Sequence, residues 1–130
     1  MKLLLDTHVW IWYVLGSEDL PSSLRAALDD AIGRCWLSPI SLWETYLLVE
    51  KGRFRINGVY QHWVEQALET VPMREAALDF KVAREVETLN LPHNDPADHF
   101  IAATALVYGQ TLVTLDQNLV DASWLPTLTH

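Results

Sequence analysis

Short apolar runs alternate along this chain with longer segments of helical periodicity, and this alternation constrains the fold more than any other feature. The apolar runs are predicted to be strands at residues 2–5, 34–37 and 111–115, with a further strand at Val71. The longer segments are predicted to be helices at residues 7–15, 21–32, 39–51, 59–69, 74–89 and 97–108. Strands that alternate with helices pair in parallel, and helices cover both faces of the sheet. The predicted fold class is therefore α/β, with a short, mostly parallel sheet of four or five strands flanked by helices.

The length and composition predict a single globular domain spanning residues 1–130. Half of the residues are hydrophobic and a fifth are charged, and the single cysteine, Cys35, has no partner for an internal disulfide bond. The first sixteen residues, MKLLLDTHVWIWYVLG, resemble a signal peptide, but Asp6 and His8 interrupt the apolar run. This run is also too short to cross a bilayer. We therefore expect a cytoplasmic protein that does not enter a membrane.

The formal net charge of −8 argues against a protein that coats nucleic acid, because phosphate binding requires Lys and Arg. It remains compatible with an enzyme that holds nucleic acid through metal ions and a local basic patch. It is equally compatible with a protein that binds a basic partner.

Two aspartates follow predicted strands directly. Asp6 comes after the strand at residues 2–5, and Asp116 comes after the strand at residues 111–115. Ligands of open α/β sheets bind beyond the carboxyl ends of the strands, so both side chains are expected at that edge of the sheet. The alternative is that each aspartate only caps the helix that follows it.

Glu44 lies on an apolar helix that Ser38 and Pro39 are predicted to begin, as N-cap and first helical residue. Glu44 shares a face with Ile40, Leu47 and Leu48. Burial of a carboxylate without a partner is costly, which favours a functional role for Glu44. The alternative is a residue at the edge of the apolar face that reaches water.

The segment NDPADHFIAATAL contains two aspartates with different predicted roles. Asp95 is predicted to cap a helix whose first residue is Pro96. Asp98 is then the third helical residue, where a capping or helix-dipole role is an alternative. Because Asp98 shares a face with apolar residues of this helix, we assign the cap to Asp95 and the functional role to Asp98. The apolar residues on that face are Ile101, Ala102 and Ala105.

Four carboxylates that converge at one edge repel each other unless cations neutralise them. Oxygen ligands select hard ions such as Mg²⁺ or Mn²⁺, which activate water and stabilise a leaving oxygen in phosphodiester hydrolysis. His93 and His99 are a weak signal for zinc, because no companion ligands accompany them.

In the segments around its four acids, the chain resembles the PIN-domain nucleases, in particular the VapC-type toxins of type II toxin–antitoxin systems. The family's first strand and its aspartate are similar to LLLDTHVWIW, and its second strand and helical glutamate are similar to SPISLWE. The helix that carries the family's third acid is similar to DPADHFIAATAL, and the strand that ends in its fourth acid is similar to LVTLD. The resemblance implies a three-layer sandwich in which Asp6, Glu44, Asp98 and Asp116 bind Mg²⁺ or Mn²⁺ and catalyse endonucleolytic cleavage of RNA. It also implies inhibition of translation, a VapB-type antitoxin partner, a homodimer and a hetero-oligomer with the antitoxin. One departure is that Ala97 and His99 stand where close relatives often have an aromatic residue and an arginine.

Several further residues are expected to contact the substrate: Thr7, Lys51, Arg53, His99 and Thr114. Lys51 and Arg53 belong to the tight basic cluster KGRFR, for which a solvated loop is the alternative. Six tryptophans are many for this length, and core packing is their default interpretation, with a homodimer or antitoxin contact as the alternative.

Two other functions compete with the nuclease. One is a non-catalytic PIN-like module that binds RNA or a partner. The other is a phosphatase with Asp6 as its nucleophile, although His8 stands where that chemistry normally requires a second aspartate.

Overall fold

The computed structural model describes residues 1–92 and 94–130, and a five-stranded parallel sheet lies at its centre. The strands lie in the order β3-β2-β1-β4-β5, and all four pairings are parallel. Their bounds are β1 Leu3–Leu5, β2 Cys35–Leu37, β3 Arg74–Glu75, β4 Thr111–Val113 and β5 Thr127–Leu128. The predicted parallel α/β sheet is confirmed.

Seven helices are assigned among the described residues and cover the sheet. They are α1 Thr7–Leu15, α2 Ser22–Asp30, α3 Pro39–Glu50, α4 Tyr60–Thr70, α5 Phe80–Val86, α6 Pro96–Tyr108 and α7 Gln117–Val120. Side chains alternate along a strand, so Leu3 and Leu5 pack into one hydrophobic core while Leu4 packs into another. The first core includes Trp10 of α1 and the second includes Ile101 of α6. The two cores on opposite faces give the expected three layers.

The prediction for the segment between α4 and α6 was wrong in two places. Val71 is not a strand residue: it is the C-cap of α4, and β3 begins three residues later at Arg74. The helix predicted over residues 74–89 is restricted to Phe80–Val86. The apolar spacing was genuine, but pairing of β3 with β2 keeps the start of the segment extended, and Asp79 caps the helix only afterwards.

Other differences concern short or terminal elements. The chain after Asp116, which showed no clear pattern, forms α7 and the edge strand β5. Trp10 is buried and contacts Trp63 edge to face, in agreement with core packing, whereas nearly half of the Trp43 side chain is exposed. In the described part of the chain, no helix has the length and apolar character needed to span a membrane.

Candidate metal centre

A cleft of about 310 Å³ lies beyond the carboxyl ends of β1 and β4. All four predicted acids line it. The remaining wall is formed by a fifth acid, Asp95, by His8, and by the apolar residues Val9, Trp12 and Leu115. Sequence elements that lie up to 110 residues apart therefore meet at one edge of the sheet, as parallel pairing of their strands requires.

Asp6 both caps a helix and faces this cleft. Its backbone N–H donates to the carbonyl of Val113 at 2.9 Å, which holds it directly beyond β1 and β4. Asp6 Oδ1 accepts a hydrogen bond from the Thr7 N–H at 2.9 Å, and Oδ2 accepts one from the Thr114 hydroxyl at 2.7 Å. Only 8% of the residue is exposed. The cap does not exclude a position at the cleft, because this side chain has both.

Asp116 is joined to Asp6 through Thr114. The Asp116 N–H donates to the Thr114 hydroxyl at 3.0 Å, and that hydroxyl donates to Asp6. Asp116 Oδ1 also caps α7 by accepting from the Asn118 N–H at 2.9 Å. The buried Thr114 side chain thus fixes the spacing of two acids from different strand ends.

Glu44 lies in the middle of α3, which Ser38 caps through a 3.1 Å hydrogen bond from the Ile40 N–H, as predicted. The most buried positions of this helix are the small polar residues Ser41 and Thr45, and Glu44 is half-buried at the edge of that face. The Thr7 hydroxyl contacts the Ser41 hydroxyl at 2.9 Å, which ties α3 to the start of α1. Glu44 Oε1 is buried and has no hydrogen-bond partner in residues 1–92 and 94–130.

The two aspartates at the start of α6 take the arrangement that the sequence predicted. Asp95 Oδ1 caps the helix by accepting from the Ala97 N–H at 3.0 Å. Asp98 is 6% exposed and lies on the buried face of α6. Carboxylate oxygens of Glu44, Asp95 and Asp98 all lie within 4.8 Å of one another.

Burial disfavours ionisation of two of these acids. The pKa of Asp6 is raised chiefly because the side chain is desolvated, although its hydrogen bonds from Thr114 and Thr7 oppose the rise. The pKa of Glu44 is raised for the same main reason, with a hydrogen bond from Thr7 opposing it and the charges of Asp6 and Asp95 adding to it. Charge repulsion between the acids is a smaller cause than burial at both positions.

The donor set fits a hard divalent cation. Glu44, Asp95 and Asp98 each offer a carboxylate oxygen, which is the ligand that Mg²⁺ and Mn²⁺ prefer. The buried Glu44 Oε1 adds a specific reason, because a buried acceptor without a partner is destabilising and a cation would satisfy it.

Comparison with known proteins identifies the family. The sequence model of the PIN domain matches residues 3–125. The chain is also 32% identical over 119 residues to ribonuclease VapC22 of Mycobacterium tuberculosis, covering 90% of this chain and 88% of the relative. The chain belongs to the PIN-domain family. The resemblance drawn from its four acidic motifs is thereby confirmed.

Solved structures agree with this assignment. VapBC2 from Rickettsia felis, bound to a promoter DNA fragment, matches with a TM-score of 0.69 at 17% identity, covering 98% of both chains. FitAB bound to a DNA fragment matches with a TM-score of 0.67 at 26% identity, covering 99% of both chains. At 17% identity, the likeness to VapBC2 shows a shared fold and nothing more.

The remaining predicted residues of this PIN domain lie in different surroundings. Thr7 and Thr114 are fully buried, and their hydroxyls bond inside the protein. Lys51 and Arg53 are exposed just beyond the end of α3, and His99 is half-buried on α6; these three residues do not line the cleft. His93 lies outside the described residues.

Sequence reasoning did not assign five residues to the cleft wall: His8, Val9, Trp12, Asp95 and Leu115. His8 and Trp12 are four residues apart on α1, and their rings lie 5.8 Å apart. Their position two and six residues after Asp6 was a usable signal, because side chains at i and i+4 of a helix share a face.

Proposed function

We propose that this protein is a Mg²⁺- or Mn²⁺-dependent endoribonuclease and the toxin of a type II toxin–antitoxin pair. The observation that carries the proposal is the convergence of Asp6, Glu44, Asp98 and Asp116 on one cleft, although they come from four separate segments. The name of the M. tuberculosis relative, a ribonuclease, supports RNA as the substrate.

The four acids act together to bind metal at the cleft. Mg²⁺ or Mn²⁺ bound by these residues would act as a Lewis acid, which would activate water and stabilise charge on the leaving oxygen. Asp6, Glu44, Asp98 and Asp116 provide oxygen ligands, and Thr114 holds Asp6 and Asp116 in place. Val9, Trp12 and Leu115 form the apolar part of the cleft wall.

Substrate contacts are proposed outside the acidic cleft. Lys51 and Arg53 are exposed cations beyond the end of α3, suited to contact the RNA backbone. His99 is a further candidate, in the position where close relatives often have arginine. For Thr7 and Thr114, which the sequence suggested as substrate contacts, burial favours a positioning role.

We further propose a VapB-type antitoxin as partner, a homodimer, a hetero-oligomer with the antitoxin, and action in the cytoplasm on translation. Solved relatives include a toxin–antitoxin complex from Klebsiella pneumoniae, which matches with a TM-score of 0.68. Partner binding also gives a reason for the exposure of Trp43 and Tyr46 on α3.

Cleavage of total RNA by the purified chain tests the nuclease proposal. We expect cleavage with Mn²⁺ or Mg²⁺, loss of cleavage in EDTA and recovery when metal is returned, because the metal supplies the chemistry. Asp6→Asn, purified in the same way, reports contaminating nuclease. Cleavage that EDTA leaves unchanged contradicts the proposed metal dependence. The absence of cleavage by folded protein at all metal concentrations contradicts the nuclease and favours the non-catalytic module. Hydrolysis of a phosphomonoester instead favours the phosphatase.

Expression in bacteria tests the toxin proposal. We expect the wild-type chain to arrest growth and a cognate antitoxin to restore it, whereas Asp6→Asn leaves growth normal because the metal site is lost. Growth curves with immunoblots of the soluble fraction measure this. Normal growth at a high level of soluble wild-type protein contradicts the toxin role and leaves the nuclease activity to be judged by the cleavage assay.

A further inference from the structure

Asp95 stands closer to the other acids than a helix cap requires. Its carboxylate shares a cluster with those of Glu44 and Asp98, with ligand oxygens within 4.8 Å of one another. Asp6 and Asp116 line the same cleft but lie outside that tight group. The tightest set of carboxylates in the described part of the chain therefore contains a residue that the sequence assigned only to capping.

Capping leaves Asp95 free to serve a second purpose. The cap uses Asp95 Oδ1, which accepts the Ala97 N–H at 3.0 Å. An ionised carboxylate has two oxygens and about four acceptor positions, so one hydrogen bond does not exhaust it. Asp6 in this same protein shows that one aspartate can cap a helix and still line the cleft.

The surroundings of Glu44 point to a cation at this cluster. Glu44 Oε1 is buried without a hydrogen-bond partner among the described residues, and the Glu44 carboxylate shares the cluster with Asp95 and Asp98. Three carboxylates held this close repel one another in the absence of positive charge. No cap accounts for that orphaned oxygen, whereas a bound cation does.

We propose that Asp95 is a fifth acidic ligand of the metal centre and binds the cation together with Glu44 and Asp98. This inference rests on the proposed metal-dependent function. It assigns Asp95 two simultaneous roles, which the substitution Asp95→Asn separates. Asparagine retains the side-chain oxygen that caps α6, and it is as good an N-cap as aspartate, but it lacks the negative charge.

Thermal melts in EDTA and in increasing Mn²⁺ test the role of Asp95 without measuring activity. In EDTA, Asp95→Asn is expected to melt slightly above wild type, because the cap is retained and one of three clustered negative charges is removed. Its apparent Mn²⁺ affinity, from the dependence of Tm on Mn²⁺ concentration, is expected to fall at least tenfold. Asp79→Asn, which alters the N-cap of α5 away from the cleft, is the matched control and keeps wild-type Mn²⁺ affinity.

The outcomes separate this inference from the function on which it rests. Asp95→Asn with Mn²⁺ affinity within twofold of wild type overturns the fifth ligand while the proposed function stands. A wild-type melt that Mn²⁺ does not shift overturns both. If Asp95→Asn does not fold, Asp95→Ser is measured in its place, because serine also caps helices and has no charge.

Discussion

Asp6 and Asp79 have the same local role in this protein but opposite electrostatic surroundings. Each caps a helix: Asp6 Oδ1 accepts from the Thr7 N–H at 2.9 Å, and Asp79 Oδ1 accepts from the Val82 N–H at 3.0 Å. Burial raises the pKa of Asp6. At the exposed Asp79, the hydrogen bond from the Val82 N–H, followed by one from Tyr108, lowers the pKa. An N-cap is therefore compatible with either a structural or a functional role, and the surroundings decide which.

Sheet topology explains the difference between the two positions. Asp6 directly follows the central strand β1 and hydrogen-bonds across to the end of β4, where the neighbouring acids also lie. Asp79 follows β3, an edge strand, after a gap of three residues, and it does not line the acidic cleft. Ligand sites of parallel sheets form beyond the carboxyl ends of strands, and of these two aspartates only Asp6 combines a helix cap with a position in the cleft.

The largest expected contrast is in RNA cleavage. We expect Asp6→Asn to reduce the rate at least a hundredfold, equivalent to about 2.7 kcal/mol in the barrier, because it removes a ligand charge from the cleft. Asp79→Asn is expected to retain wild-type activity. Both variants keep the capping oxygen, and circular dichroism checks that both fold. Equal rates for the two variants in Mn²⁺ show that the surroundings of Asp6 carry no catalytic consequence.

The sequence predicted that four acids lie at this edge of the sheet, and three of them stand at marked positions. Asp6 and Asp116 follow apolar runs, and Asp98 lies three residues after the cap Asp95, so their places depend on local signals. The cluster of Asp95 with Glu44 could not be predicted in this way. It depends on how α3 packs against α6, which no local pattern of either helix specifies.

The contrast between local sequence signals and tertiary packing also explains the errors in the predicted fold. The strand β3 has two exposed residues and no apolar run, so its existence depends on pairing with Trp36 and Leu37 of β2. The long α6 was predicted within one residue of its start and correctly at its end, because Pro96 and Gly109 mark those boundaries chemically. Elements with chemical boundaries were predictable, and elements formed by tertiary pairing were not.

A smaller effect is expected in the pH dependence of stability in EDTA, where Glu44→Gln and Asp79→Asn should act in opposite directions. The pKa of Glu44 is higher in the folded protein than in the unfolded chain. Its contribution to the free energy of unfolding is therefore present below the unfolded pKa and is lost as pH rises through the folded pKa. Glu44→Gln should therefore gain Tm relative to wild type, by roughly a few degrees, as pH rises above the pKa of glutamate in the unfolded chain, about 4.3.

The pKa of Asp79 is lower in the folded protein than in the unfolded chain. Its contribution to the free energy of unfolding is therefore present above the unfolded pKa and is lost as pH falls through the folded pKa. Asp79→Asn should therefore lose Tm relative to wild type as pH rises, because the neutral amide cannot provide the charge that the Val82 N–H and Tyr108 stabilise. Thermal melts of the three proteins, each in EDTA, measure both differences. The Asp79 difference develops below about pH 5, and the Glu44 difference develops above about pH 4. If the two differences change with pH in the same direction, burial does not distinguish the cleft acids from an ordinary helix cap.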